Sequence, residues 1–187
     1  ADRFLVLNTF FRDFMVSNLI NFLFILFILI TLNNINISAD WVGLREVRET
    51  TTTRFVRDGK PQANAKETTH GIMVEVLADG QFGYYGTNRM DSGSISDSAK
   101  KALKQAKSAA KYAIHNFTED ARPPFTGKYC SDYKISMDAI SPGELNQLLC
   151  EINNALKVSD KVISVNALAR IVETTHHFVS SNGSDIL

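Results

Sequence analysis

Four histidines are the first residues to consider for chemistry, because the imidazole ring is a common zinc ligand and proton carrier. His176 and His177 are neighbours on a predicted strand, so their side chains point to opposite faces and cannot easily share one metal ion. His70 and His115 are isolated in the sequence. Since a zinc site needs three or four converging ligands, the sequence predicts surface or packed histidines and no metal site.

Sequence motifs for nucleophilic, phosphate-binding or metal-assisted catalysis are absent. The chain contains no H-E-x-x-H, G-x-x-x-x-G-K-[ST], G-x-S-x-G or G-x-G-x-x-G. Ser98-x-x-Lys101 matches the S-x-x-K pattern of β-lactamases, but the companion motifs are missing. Cys130 and Cys150 form neither a C-x-x-C pair nor a disulfide framework, which favours reduced thiols in a cytoplasmic protein. We predict no catalytic, cofactor-binding or metal-binding residue in this chain.

Lysines are concentrated on one face of a predicted amphipathic helix, Ser94–Asn116. No aromatic residue lies between these lysines in the sequence to stack a base. Twenty Lys+Arg balance twenty Asp+Glu, so no overall field attracts nucleic acid, and we expect no nucleic-acid partner. We interpret the face as solvated, with an acidic partner, a membrane surface or, less favoured, nucleic acid as alternatives. The stripe consists of Lys100, Lys104, Lys107 and Lys111, with Lys101 beside it.

The helix is expected to cover a β-sheet organised around Gly71–Asn88. Apolar residues alternate from Ile72 to Leu77, and Asp79-Gly80 is a strong signal for a two-residue hairpin turn. Asp58-Gly59 is a second signal of the same kind. The sequence therefore predicts an antiparallel meander of four or five strands. Its strands are placed at Trp41–Arg57, Pro61–Thr69, Gly71–Leu77 and Gln81–Tyr85.

A second helix and a last hairpin are predicted in the C-terminal third. Ser141 is the expected N-cap, with Pro142 at the first helical position and Glu144 closing a capping box. The predicted buried face is Leu145, Leu148, Leu149, Ile152, Ala155 and Leu156. Two strands, Lys161–Val172 and Thr174–Ser181, precede an Asn182-Gly183 turn, and the sequence stops four residues later, which we interpret as truncation. The predicted fold class is α+β: an antiparallel β-meander packed by two amphipathic helices, with a further β-hairpin at the C-terminus.

Residues 1–38 differ in composition from the rest of the chain. No charged residue occurs from Phe14 to Ala39, and Phe14–Leu32 has about the length needed to cross a bilayer as a helix. We interpret the segment as a membrane anchor or hydrophobic helix. A buried helix and a non-native extension remain alternatives. The domain proper is expected at residues 39–187.

Several short segments of residues 39–187 occur in an order that resembles one protein family. Ala39–Glu46 combines Ala-Asp-aromatic with a following Arg, and Arg57–Lys60 contains the first turn. Gly71–Asn88 is a Gly-led apolar strand, an Asp-Gly turn and an aromatic-Gly strand ending in Thr-Asn. Gly127–Ser131 and Ser181–Ser184 are later landmarks. Together they resemble the TldD/PmbA metallopeptidases, also called modulators of DNA gyrase.

The resemblance implies the N-terminal α+β domain of such a zinc peptidase, truncated before its catalytic domain. In the family, an H-E-x-x-x-H helix in a C-terminal β-rich domain holds zinc, and its Glu acts as base on a metal-bound water. This chain lacks that motif, so we expect it to be inactive alone, with zinc in the missing domain. The resemblance further implies that the domain helps enclose peptide or unfolded-protein substrates and contributes to a homo- or heterodimer of cytoplasmic family members.

The alternative is a non-catalytic peptide-binding or scaffold protein, of the partner-subunit type that lacks the zinc motif, or one anchored in a membrane through Phe14–Leu32. Exposed strand edges could then bind an extended peptide by β-addition, and the lysine stripe could dock an acidic partner. A downstream reading frame with H-E-x-x-x-H would favour the peptidase, whereas a stop codon after Leu187 would favour the scaffold.

Overall fold

The computed structural model of the chain describes residues 26–135 and 139–187. Within these residues, six strands form one sheet and three helices accompany it, so the predicted α+β class is confirmed. The strands are β1 (Trp41–Arg57), β2 (Lys60–Ala78), β3 (Gln81–Thr87), β4 (Thr126–Gly127), β5 (Asn166–Ser180) and β6 (Asp185–Ile186). The helices are α1 (residues 26–34), α2 (Ser92–Ala110) and α3 (Pro142–Leu156). The strand order is β3-β2-β1-β5-β6-β4.

Both predicted Asp-Gly hairpin turns are confirmed. Asp58 and Gly59 have φ values of 49° and 75°, and Asp79 and Gly80 have 52° and 74°. Two consecutive positive φ values define the type I′ turn, whose twist matches that of the flanking strands. The second turn sets the antiparallel register of β2 and β3, from Ala78 opposite Gln81 to Ile72 opposite Thr87.

The strands are longer than predicted, because pairs of predicted strands are continuous. Pro61–Thr69 and Gly71–Leu77 both lie in β2, since His70 and Gly71 continue the extended backbone without a turn. The predicted neighbours Lys161–Val172 and Thr174–Ser181 are likewise one strand, β5, which begins only at Asn166. Ile163, within the predicted strand Lys161–Val172, lies before β5 and is 95% exposed. The Asn182-Gly183 turn does lead back, because β6 pairs antiparallel with the end of β5.

The chain divides into two compact units, and the described residues of the first are 26–46, 71–128 and 176–187. Its core lies between the sheet and α2, whose buried stripe consists largely of alanines. These small side chains allow the helix to approach the strands closely. The helix ends at Ala110 rather than at Asn116, and Ile114, within the predicted helix, is fully exposed. The fully buried residues of α2 are Ile95, Ala99, Ala102 and Ala106.

Helix α1 packs against the same core. Ile28 is completely buried and Thr31 is 2% exposed. Phe27, Leu29 and Leu32 contact the core cluster as partly buried residues. For this part of the predicted span Phe14–Leu32, the structure therefore favours the buried-helix interpretation; residues 14–25 lie outside the described residues. Among the helices of residues 26–135 and 139–187, none is long and apolar enough to cross a membrane.

We expect Ile28→Val to lower the free energy of unfolding by about 1 kcal/mol, because a methyl group is removed from a closed core. Urea unfolding followed by the fluorescence of Trp41, the single tryptophan of the chain, measures this change. Ile30→Val is the matched control, since Ile30 lies on the same helix but is 50% exposed. Equal effects of the two substitutions would contradict the packing of α1 in the core.

The second unit contains residues 47–70 and 129–175. Its small core consists of Val56, Leu149 and Ala167, with Cys150 and Ala169 against it. Helix α3 begins with the predicted capping box: Ser141 Oγ accepts from Glu144 N, and Glu144 Oε2 accepts from Ser141 N. These hydrogen bonds lower the pKa of the Glu144 carboxyl.

The prediction of the buried face of α3 is wrong in part, because a polar residue of the helix is buried while several of the predicted apolar residues are exposed. Leu148, Ile152 and Leu156 are 46%, 42% and 52% exposed. Asn153 is 2% exposed instead. Its Oδ1 accepts from Gly59 N at 2.7 Å and its Nδ2 donates to Val165 O at 2.9 Å. Buried backbone groups require hydrogen-bond partners, and the amide of Asn153 supplies them.

Candidate functional site

The most distinctive surface of the first unit lies where α2 crosses β3, at one edge of the sheet. Gly83 makes this crossing possible, because a Cβ at this position would clash with the carbonyl oxygen of Ala102 on the helix. Asp91 fixes the start of α2 as its N-cap, with Oδ1 accepting from Ser94 N at 2.8 Å. This hydrogen bond lowers the pKa of the Asp91 carboxyl. Strand and helix are thus held in close contact.

Along this crossing runs an open groove of about 420 Å³. The side chains that face it come from the two elements alone. The half-exposed ring of Tyr85 lies on the β3 side, and lysine ammonium groups, an amide and a hydroxyl lie on the α2 side. We call it the tyrosine–lysine groove; its lining residues are Tyr84, Tyr85, Lys101, Lys104, Gln105 and Ser108. The ring of Tyr84, the preceding residue of the strand, points to the opposite face of the sheet.

Contacts within the tyrosine–lysine groove order several of these groups. Lys101 Nζ lies 4.6 Å from the centroid of the Tyr85 ring and 3.3 Å from its hydroxyl. A cation over an aromatic face is attracted by the ring quadrupole. Gln105 Oε1 accepts from Tyr84 N at 2.8 Å, so the amide caps a backbone donor at the outer edge of the sheet. The ring of Tyr84 stacks on Phe82 at 6.2 Å.

The tertiary structure supplies an aromatic group that the sequence lacks among its lysines. Tyr85 precedes Lys101 by 16 residues in the sequence, yet its ring lines the same groove as Lys101 and Lys104. The sequence signal was a tyrosine on a strand that precedes the helix. It could be read only with the strand–helix packing known.

A second polar cluster lies in the first unit around Glu75, which is 3% exposed. Arg45 donates from Nε and Nη2 to Glu75 Oε1 at 3.2 and 3.1 Å. Arg122 Nε lies 3.6 Å from Glu75 Oε2. Both arginine side chains are 41% exposed. They lie over aromatic rings: the guanidinium carbon of Arg45 is 5.1 Å from the centroid of Phe178, and that of Arg122 is 4.9 Å from the centroid of Phe82.

This cluster joins the connection after α2 to the sheet. Asn182 Nδ2 donates to Arg122 O at 2.8 Å, and Trp41 Nε1 donates to Asn182 Oδ1 at 3.0 Å. The landmark residue of the last turn and that of the first strand therefore meet in one network. Because Glu75 is buried between two guanidinium groups, we interpret it as a structural anion that fixes the position of Arg45 and Arg122.

The residues considered for chemistry in the sequence do not converge. Ser98 Oγ donates to Ser94 O at 2.8 Å, whereas Lys101 contacts Tyr85, so the two members of the S-x-x-K pattern do not act on each other. His177 is 3% exposed and its Nε2 lies 2.9 Å from Asp185 Oδ1. His115 packs edge-on against Phe117 at 4.9 Å.

The described residues are not arranged to bind zinc either. His176 is exposed while its neighbour His177 is buried, as expected for opposite faces of a strand. Within residues 26–135 and 139–187, no group of three or more His, Cys, Asp or Glu is placed to hold a metal ion. We therefore derive no metal-dependent step from these residues.

Residues 42–110 match the family model described as PmbA/TldA metallopeptidase domain 1. This range contains the strands β1, β2 and β3 and helix α2, and thus both sides of the tyrosine–lysine groove. A search of curated proteins gave no match.

Solved structures with the same fold come from bacteria and an archaeon. A putative modulator of DNA gyrase from Bacteroides thetaiotaomicron VPI-5482 has a TM-score of 0.57 and 16% identity, covering 79% of this chain and 34% of that one. A second putative modulator, from Thermotoga maritima MSB8, has a TM-score of 0.54 and 12% identity, covering 78% and 32%. TldE from Thermococcus kodakarensis has a TM-score of 0.57 and 16% identity, covering 79% and 33%. This chain thus spans about a third of the length of each.

Proposed function

We propose that this chain is an N-terminal domain of the TldD/PmbA family. In this proposal, the domain is the part of a zinc metallopeptidase that helps enclose peptide substrates and contributes to dimerisation. The observation that carries the proposal is the match of residues 42–110 to PmbA/TldA metallopeptidase domain 1. The lengths of the solved structures support the proposal, because each of these proteins is about three times as long as the part that this chain covers.

In this proposal, zinc and the residues that activate water belong to another domain of the protein. Bound zinc would lower the pKa of a coordinated water and polarise the scissile carbonyl. The role of the present chain is to bind and orient the peptide and to limit the access of water. Cys130 and Cys150 are both free thiols, which is consistent with a proposed cytoplasmic location.

Two measurements on the full 187-residue chain test the proposal. The first is the fluorescence anisotropy of labelled peptides from an unfolded protein, with hydrolysis followed in parallel after the addition of zinc and a check of metal content. We expect binding without cleavage. The second is sedimentation velocity over a range of concentrations, in which a concentration-dependent dimer is expected.

Zinc-dependent cleavage by this chain alone would overturn the non-catalytic assignment. Failure to bind any peptide would overturn substrate enclosure, and a monomer at every concentration would remove the contribution to a homodimer. Peptide binding by the chain with no gain in cleavage when it is joined to a zinc-motif domain would favour the scaffold alternative.

A further inference from the structure

We infer that the tyrosine–lysine groove binds an acidic, extended peptide segment that carries an aromatic or aliphatic side chain. This inference rests on the proposed function and specifies the class of peptide that the domain would select. It is carried by the charge of the exposed α2 face, by the half-exposed ring of Tyr85 and by the hydrogen bond that already occupies the backbone N–H of Tyr84 at the edge of the sheet.

The charge of the groove is local and of one sign. The exposed face of α2 carries Lys100, Lys101, Lys104 and Lys107, whereas its exposed acidic residue, Asp97, is already paired with Lys100 at 3.1 Å. The chain as a whole has a formal net charge of zero. An excess of positive charge confined to one helix face in a neutral protein attracts carboxylates at short range.

The groove also offers apolar surface beside these cations. Tyr85 is 41% exposed, and its ring lies on the α2 side of the sheet beside Lys101. Large aromatic side chains provide most of the contact energy in recognition sites, and their exposed faces pack well against aliphatic or aromatic groups of a ligand. A ligand that combines carboxylates with an apolar side chain therefore matches both walls.

The spacing of the lysines suits alternate residues of an extended peptide. The two lysines that line the groove, Lys101 and Lys104, are three residues apart on α2, a rise of about 4.5 Å. Alternate side chains of an extended strand lie about 6.7 Å apart on one face. Flexible lysine side chains bridge this small difference. Backbone pairing with β3 is not the mode expected at Tyr84, because Gln105 already accepts its N–H.

The same surface fits single-stranded nucleic acid less well. Such ligands also use basic grooves with stacking rings, but their binding domains are usually strongly basic, with a pI above about 9. This chain has a sequence pI of about 7.1. Moreover, among the residues that the structure describes, no arginine lines the groove to bind phosphate with two hydrogen bonds.

Fluorescence anisotropy of labelled octapeptides, titrated with the full chain at low salt, tests the inference. The first peptide has glutamate at alternate positions and one phenylalanine, and the second has glutamine in place of each glutamate. We expect the acidic peptide to bind about tenfold more tightly, with the difference shrinking as salt is added. The double variant Lys101→Met/Lys104→Met should abolish this preference.

The matched control is Lys66→Met/Lys161→Met, which makes the same change in net charge at exposed lysines of the second unit. It should retain the preference for the acidic peptide. Tyr85→Leu should weaken binding of the acidic peptide that contains phenylalanine. It should not weaken binding of a third peptide, which has alanine in place of that phenylalanine. Circular dichroism of each variant shows that it is folded.

Four results would overturn the inference. Equal binding of the acidic and neutral peptides would remove the groove as a selective site while leaving the proposed function intact. If the groove variant and the control variant lose the preference for the acidic peptide equally, the preference depends on net charge alone. Tighter binding of a dT octamer than of the acidic peptide would replace the peptide by a nucleic acid. Binding of neither octapeptide would also overturn the inference, and it would contradict substrate enclosure only if the labelled peptides from an unfolded protein fail to bind as well.

Discussion

Gly83→Ala is expected to destabilise the first unit by about 3 kcal/mol or more. A Cβ at this position would clash with the carbonyl oxygen of Ala102, and the backbone N of Ala106 would lie 2.8 Å away. These atoms belong to the helix backbone, so no side-chain rotation relieves the overlap. Either α2 moves away from β3, which opens the core, or the strand bends.

Gly86→Ala is the matched control, because it lies in the same strand and its added Cβ would meet its nearest atom, Ile72 O, at 3.8 Å. We expect a change within about 0.5 kcal/mol. Urea unfolding followed by Trp41 fluorescence gives both values, since Trp41 is buried in the first unit. Similar stabilities for the two variants would mean that α2 does not rest on Gly83.

Arg45→Met is expected to cost about 2 to 3 kcal/mol, because it leaves the buried carboxylate of Glu75 with Arg122 alone, at 3.6 Å. The value is at the low end for a buried pair, since Arg45 is itself 41% exposed. Glu75→Met should cost less, as the two half-exposed guanidinium groups that remain can be hydrated. The double variant Arg45→Met/Glu75→Met should be closer to the parent than Arg45→Met is.

A double-mutant cycle in urea measures this coupling. Lys100→Met serves as the control, because its partner Asp97 is on the surface and both side chains are more than 60% exposed. That substitution should change stability by less than about 0.5 kcal/mol. If the effects of Arg45→Met and Glu75→Met simply add, the two residues do not depend on each other for stability.

The sequence by itself determined the local structure of this protein. Asp58-Gly59 and Asp79-Gly80 predicted type I′ turns because Gly readily adopts the positive φ that such turns require. Ser141, Pro142 and Glu144 predicted the start of α3 to the residue, since capping is a contact between neighbours in sequence. The ordered landmarks likewise resembled, from short segments, the family whose domain model matches residues 42–110.

Tertiary structure alone decided the burial and the candidate site. Asn153 is buried in the second unit because its amide forms hydrogen bonds with backbone groups that are distant in the sequence. Helical periodicity cannot predict the burial of this polar residue. Glu75 was buried because Arg45 and Arg122 converge on it from two other segments. The tyrosine–lysine groove exists because Gly83 and the alanines of α2 let helix and strand touch, which brings Tyr85 onto Lys101. Contacts between distant segments depend on packing, whereas turns and caps depend on neighbouring residues.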